Sequence, residues 1–172
     1  MACGKLRLPR LIGDGMVIQR DRAVKIWGWA GAGDKVTVGL IRGMREDAHG
    51  SAPGIHACQS HECTAGADGR WEVLLEPVEA GGPYTLLVSA AGESVTVTDI
   101  LAGDVWLCSG QSNMQTPILR LTEMFGKEIA ESCSSRIRYF QVPERYDFNK
   151  KHDDMEGGSW VRCDEPEKVM LF

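Results

Sequence analysis

Between Leu6 and Leu101 the chain never sustains a helical period, and this confines its first hundred residues to strands and turns. Val24, Ile26, Gly28 and Ala30 alternate with Lys25, Trp27 and Trp29, and Gly31-Ala32-Gly33-Asp34 turns the chain into Lys35-Val36-Thr37-Val38-Gly39-Leu40. Asp68-Gly69-Arg70 leads into Trp71–Leu75, Gly81-Gly82-Pro83 into Tyr84–Val88, and Ala91-Gly92-Glu93 into Ser94–Ile100. Short β-branched runs separated by glycine-bearing turns predict an antiparallel β-sandwich over residues 1–101. Trp27, Trp29 and Trp71 are expected in its core or at its edge rather than as a sugar-stacking platform. The stretch Arg42–Ser60, rich in Gly, Ala, Ser and charge, reads as a loop or a loose hairpin tip.

The texture changes at Gly103-Asp104, so a second domain is expected over residues 102–172. Val105-Trp106-Leu107-Cys108 reads as a buried strand, with Cys108 a small core residue and Trp106 core beneath the turn that follows. Ile118, Leu121, Phe125 and Ile129 then recur at helical spacing, with Pro117 tolerable in the first turn and Gly126 weakening the middle. Arg136–Val142 reads as a strand stopped by Pro143, giving one right-handed βαβ unit. Glu144–Ser159 is expected to be a loop. The expected architecture is mixed β and α/β: a β-sandwich followed by the beginning of an α/β layer. About 70 residues cannot close such a layer with helices on both faces, so the second domain reads as incomplete.

Between the strand and the helix stands Ser109-Gly110-Gln111-Ser112-Asn113-Met114. Acyl transfer needs a nucleophile, a base to take its proton and donors for the developing oxyanion. At a strand-to-helix turn the Ser112 hydroxyl would be presented beyond the strand end, with its own N–H at a helix N-terminus that favours negative charge. Gly110 lets the backbone bend and leaves room for substrate, while Gln111 and Asn113 are neutral donors or hold the turn. The pattern Gly-x-Ser lacks the second glycine of the common nucleophile elbow, so an ordinary α/β-hydrolase is not indicated. The bland alternative for Ser112 is a buried turn serine that caps the helix.

The block Gly103-Asp104-Val105-Trp106-Leu107-Cys108-Ser109-Gly110-Gln111-Ser112-Asn113-Met114 resembles the nucleophile block of the sialate O-acetylesterase family, carbohydrate esterases of the wider SGNH-hydrolase group. Gly15-Met16-Val17-Ile18-Gln19-Arg20, Val24–Gly33, Asp68-Gly69-Arg70-Trp71, Gly81-Gly82-Pro83-Tyr84 and Arg136–Val142 are similar to other pieces of that family in the same order. The resemblance spans nearly the whole chain apart from a divergent Arg42–Cys63. It implies a sandwich preceding a flavodoxin-like hydrolase domain, Ser112 as nucleophile, and removal of O-acetyl groups from sialic acid or related sugars without a metal or other cofactor. It also implies a terminal Asp-x-x-His block, which these 172 residues do not contain, so the chain alone is expected to be inactive. The competing reading is a non-catalytic β-sandwich module that binds carbohydrate or protein and carries a vestigial hydrolase start.

No histidine offers itself as the missing base. His49, His56 and His61 fall in the strand-rich half, and His152, in a charged loop, has Asn149 rather than an acid three residues before it. His56, Cys58, His61 and Cys63 invite a zinc reading, but a strand would point His56 and Cys58 to one face and His61 and Cys63 to the other. No metal site is therefore expected. Six cysteines scattered through a chain of this size read as reduced thiols. A net charge of −5 without a Lys/Arg run argues against nucleic acid as a partner, and no apolar run approaches a membrane span. The N-terminus lacks a signal-peptide core, so the chain as written reads as cytoplasmic, or as secreted or periplasmic if a leader has been removed.

Overall fold

The computed structural model describes residues 4–43, 56–110 and 112–171. Strands dominate: β1 (Val17–Gln19), β2 (Val24–Trp29), β3 (Lys35–Arg42), β4 (His56–Thr64), β5 (Arg70–Leu75), β6 (Gly81–Ala90) and β7 (Glu93–Gly103) precede any helix among the described residues. Single 3-10 turns at Ser112–Gln115 and Ile118–Leu121 lead into α1 (Thr122–Glu131), followed by β8 (Ser134–Phe140), β9 (Trp160–Cys163) and α2 (Pro166–Met170).

Five strands form one sheet in the order β1-β7-β6-β3-β4, and β2 pairs with β5 in a second, two-stranded sheet. The period-2 pattern decides which side chains meet. Val36, Val38 and Leu40 of β3, Leu86 and Val88 of β6, and Ile100 of β7 are fully buried, and Ile26, Trp71, Val73 and Leu75 of the smaller sheet join them in one continuous core. Register shifts at Leu40/Ile41 and on both sides of Tyr84 curl the larger sheet over that core. The β2–β5 register sets Gly28 opposite Trp71. A Cβ on Gly28 would overlap the Arg7 carbonyl oxygen and lie 2.9 Å from the Trp71 indole, so only glycine fits between them.

Three features differ from the sequence expectations. The first sheet is not wholly antiparallel, because β1 runs parallel to β7, with Val17 opposite Leu101 and Gln19 opposite Gly103. The two strands stand at opposite ends of the strand-rich half, so no hairpin turn forces them antiparallel. Residues 56–60, expected in a loop, belong to β4, which pairs along β3 from Thr64 to His56; the tip of that hairpin, and His49 within it, lies outside the described residues.

The third difference is the largest. Val105–Cys108 is not a strand, and the expected βαβ unit is absent among the described residues. Strand backbone needs a neighbouring ladder, and β8, the neighbour expected for it, instead pairs antiparallel with β9 through Tyr139–Val161 and Phe140–Trp160. The helix expected from Ile118 onward is divided as well. It opens as a 3-10 turn, and α1 is broken by a non-helical Phe125 (φ −130°, ψ 25°) beside Gly126. Among the described residues only Ile129, Tyr139, Cys163 and Val169 form a small second core around α1, β8, β9 and α2.

One buried cation ties the halves together. Arg138, with 3% of its side chain exposed, donates to the carbonyls of Gly15 (2.8 Å) and Asp99 and to the Asp99 carboxylate at 2.9 Å. Asp99 itself sits at φ 56°, a left-handed conformation that aspartate tolerates better than most residues.

Candidate active site

The segment that carries Ser112 is anchored at its start. Val105 N–H donates to the Gln19 side chain at 3.0 Å, and Arg20 Nε donates to Asp104 at 2.9 Å, fixing the chain against the end of β1. Beyond this the backbone runs irregularly outward. Trp106 is 83% exposed and Leu107 93% exposed, and Cys108 is exposed too, so none of the three is the core residue that its apolar run suggests.

Gly110 packs against the next turn, where a Cβ would come within 2.8 Å of Met114 Cγ. Ser112 opens the Ser112–Gln115 turn at φ 55°. A non-glycine residue in the left-handed region carries a strain of order 1 kcal/mol or more, persists only where its surroundings impose it, and is found preferentially at functional sites. Thr116 supports the turn twice: its hydroxyl donates to the Ser112 carbonyl at 3.1 Å and its N–H to the Asn113 carbonyl at 3.3 Å. Gln115 Nε2 donates to Glu144 Oε1 at 2.8 Å, linking the turn to the loop after β8.

Ser112 and Asn113 are exposed, and Gln111 lies outside the described residues. Among the described residues nothing hydrogen-bonds the Ser112 hydroxyl, so it is neither buried nor a side-chain cap. The expected helix N-terminus is also corrected: α1 begins ten residues later, and the local positive end at Ser112 is one 3-10 turn. Any oxyanion stabilisation at this turn comes from individual N–H groups rather than from a long macrodipole.

One arrangement in the structure has no counterpart in the sequence expectations. His152 Nε2 lies 2.6 Å from Asp147 Oδ2, and Asp147 Oδ1 accepts the Asn149 N–H at 2.9 Å. The Asn149 N–H, and then His152, hold the Asp147 carboxyl below the ordinary carboxylate range. The available signal was an Asx turn, Asp147-x-Asn149, which folds the loop back so that an acid five residues ahead meets the imidazole. The pair lines a cleft of about 420 Å³ with Trp27, Leu11 and Pro143. Ser112 lines neither this cleft nor the larger one beside it, and among the described residues no hydrogen bond joins it to His152.

His56–Thr64 is a strand, the geometry that argues against a shared metal. Cys58 and Glu62 point outward while His61 and Cys63 are half-buried on the other face, which divides the would-be ligands. His61 is held by Gln59 at 3.2 Å, and burial pushes the Cys63 thiol up, away from the thiolate a metal would need. Trp71 is core, whereas Trp27 and Trp29 stack edge-to-face (5.1 Å) on the outer side of β2, with the Arg7 guanidinium 3.5 Å above Trp29.

No protein-family model matches the chain. It is 32% identical over 142 residues to sialate O-acetylesterase of Rattus norvegicus, an alignment covering 79% of this chain and 24% of that protein. The Homo sapiens protein of the same name is 35% identical over 120 residues, covering 67% and 21%. A solved structure of a carbohydrate acetylesterase from Xanthomonas citri covers 98% of this chain and 34% of its own, with a TM-score of 0.81 and 31% identity.

Over most of its own length the chain is similar to the sialate O-acetylesterases.

It spans under a quarter of the length of the rat and human relatives. The strained Ser112 and its Thr116 and Gln115 supports form a turn that joins a left-handed backbone, a solvent-facing hydroxyl and the family-like block Gly103–Met114.

Proposed function

We propose that this chain carries the nucleophile of a carbohydrate O-acetylesterase, and that the residue is Ser112. The observation that carries the reading is the left-handed backbone of Ser112 at the head of a braced, solvent-facing turn inside the family's block. In this reading the Ser112 Oγ attacks the acetyl carbonyl of an O-acetylated sialic acid or related sugar ester. The bond from carbonyl carbon to sugar oxygen breaks, the sugar leaves as an alcohol with the serine proton relayed by a base, and water then releases acetate from the acyl-serine. The Ser112 N–H, with Gly110, Gln111 and Asn113, supports the oxyanion and the turn. The base and its orienting acid are the histidine and aspartate of the Asp-x-x-His block that the family resemblance implies. No metal or other cofactor enters the chemistry.

The finer architecture belongs to the same proposal. Residues 1–101 are a β-sandwich, and residues 102–172 are the beginning of a flavodoxin-like layer. The test is hydrolysis of an aryl acetate. The 172-residue chain turns over at or near the uncatalysed rate; joined to the remaining catalytic residues it is active, and Ser112→Ala then lowers kcat/KM by at least about a thousandfold. Normal activity of Ser112→Ala in the joined form removes Ser112 from the mechanism.

A second reading rests on a separate observation: among the described residues no base reaches Ser112. By that reading these 172 residues act as a non-catalytic carbohydrate- or protein-binding module. Saturable binding of acetylated sugar by the chain, unaltered in Ser112→Ala and without turnover in the joined form, would favour it.

A further inference from the structure

Cys133 and Cys163 come together in the small second core. Ser134 stands opposite Cys163 in the antiparallel β8–β9 register, and Cys133 immediately precedes it, at the joint between α1 and β8. Opposed Cα atoms of such a pair stand about 4.5–5.5 Å apart, and one further residue adds about 3.4 Å along the strand. About 6 Å therefore separates Cys133 from Cys163, inside the span of about 4.4–6.8 Å that a disulfide bridges. Strict alternation would turn Cys133 to the far face of the sheet, but Cys133 lies before the strand begins. Its thiol reaches back to the Ile129 carbonyl at 3.8 Å, and its side chain packs on the buried cluster of Ile129, Tyr139, Cys163 and Val169. Among the described residues these are the only two cysteines on one buried cluster; Cys63 packs on the larger core, and Cys58 and Cys108 are exposed. The two thiols also act on each other: Cys163 is pushed up by burial, then by Asp164, then by Cys133.

We propose that Cys133 and Cys163 form a disulfide on meeting a small-molecule disulfide such as oxidised glutathione, and that the bond locks the second core. Cys133 is half-buried and is reached first by a reagent from solvent, whereas Cys163 is 4% exposed. The Cys133 thiolate attacks one sulfur of the reagent and expels one glutathione thiolate, leaving a mixed disulfide. The Cys163 thiolate then attacks the Cys133 sulfur and expels the second glutathione thiolate. Two protein thiols lose two electrons to the reagent, and their protons end on the two reduced glutathiones. A Cys133 held in the mixed disulfide carries no charge, which removes one of the causes that keep the proton on Cys163. The bond closes the loop 133–163, which contains β8, the Asp147–His152 pair and most of β9. Such a cross-link stabilises chiefly by restricting the unfolded chain. The second core, small among the described residues, has the most to gain from it. The lock needs neither Ser112 nor a substrate.

The test is oxidation of the native 172-residue chain in a glutathione redox buffer, followed by blocking of the remaining thiols and tryptic digestion without reductant. Cleavage after Lys127, Arg136, Arg162 and Lys168 isolates Cys133 in residues 128–136 and Cys163 in residues 163–168. The expected product is these two peptides joined, lighter by two hydrogens than their sum. It should exceed every other cysteine pair at least about tenfold, and that preference should fall by at least about tenfold when the chain is oxidised in urea, where the native geometry no longer selects the pair. The oxidised chain should melt at least about 4 °C above the reduced one, a shift reversed by dithiothreitol and absent from Cys133→Ser. Absence of the joined peptide from the native chain, a preference no greater than in urea, or a bond that leaves the melting temperature unchanged or lower overturns the proposal. The peptide map is read on the unmutated chain, so it decides even where Cys133→Ser does not fold.

Discussion

Residues 4–103 and 104–171 contain apolar side chains of the same kinds and use them differently. Among the described residues the first region leaves three large hydrophobics exposed, Leu11, Leu74 and Leu87, while the second leaves thirteen, from Val105 to Leu171. In the first region strands pair with strands and two sheets close over one core; in the second, among the described residues, only Ile129, Tyr139, Cys163 and Val169 are buried together. Leaving a leucine or phenylalanine in water forgoes about 1.5–3 kcal/mol that burial would supply. An apolar run therefore specifies burial only where the chain also supplies the surface that buries it.

The sharpest way to break the comparison is a pair of leucines. Leu86 is fully buried between β3 and β7, so Leu86→Ala should cost about 2–5 kcal/mol, whereas Leu107→Ala, at 93% exposure, should stay within about 0.5 kcal/mol. Urea unfolding of both variants checks this; comparable losses would mean that Leu107 is packed after all. Next comes the bolt between the regions. Arg138→Met removes every hydrogen bond to Asp99 and Gly15 that Arg138 makes, and should cost about 2–3 kcal/mol. Most of that loss should appear as separate melting of β8–β9 rather than of the larger sheet. A single unshifted transition would show that Arg138 holds nothing. Within the first region, Gly28→Ala pushes a methyl into the Arg7 carbonyl and the Trp71 indole and should cost about 1–3 kcal/mol, seen as a lowered urea midpoint.

The same contrast explains what could be read from the residues alone. β2, β3, β5, β6 and β7 were legible because each partner strand lies in the same sequence and alternation fixes the inward face, as Val36, Val38 and Leu40 show. The parallel β1–β7 pair was not, because no turn connects the two strands. Val105–Cys108 carries the composition of a strand, but composition cannot report whether a neighbour is present, and β8 found β9 instead. The Ser112 turn was legible as chemistry from the residue types in Gly103–Met114, while its left-handed φ and the Thr116 and Gln115 braces were not, being products of backbone geometry and of a contact with Glu144 across the loop. The Asp147–His152 contact escaped because it depends on how the loop folds back rather than on a fixed spacing.

Strain at Ser112 gives a prediction of opposite sign. Glycine enters the left-handed region without the Cβ penalty, so Ser112→Gly should stabilise the second region by about 0.5–1 kcal/mol while removing the hydroxyl. A serine kept at a position where glycine is more stable is what a functional role requires. Destabilisation by Ser112→Gly in thermal unfolding would mean that the hydroxyl is a structural partner instead.

The smallest expected effect concerns the loop that both regions touch. Asp147 is held below its ordinary value of 3.8, first by the Asn149 N–H and then by His152. A carboxyl depressed on folding lends stability that is fully present above the unfolded value and disappears as pH falls through the folded one, so the loop should loosen only in acid, below about pH 4. Carboxyl carbon shifts followed by NMR from about pH 6 to about pH 2 should show Asp147 titrating below 3.8. In His152→Ala the midpoint should rise only part of the way back, because the larger cause, the backbone N–H of Asn149, remains. A complete return to the ordinary value would mean that the imidazole alone held the carboxylate, and that the turn connecting the second region to the cleft beside Trp27 is organised by His152 rather than by its own backbone.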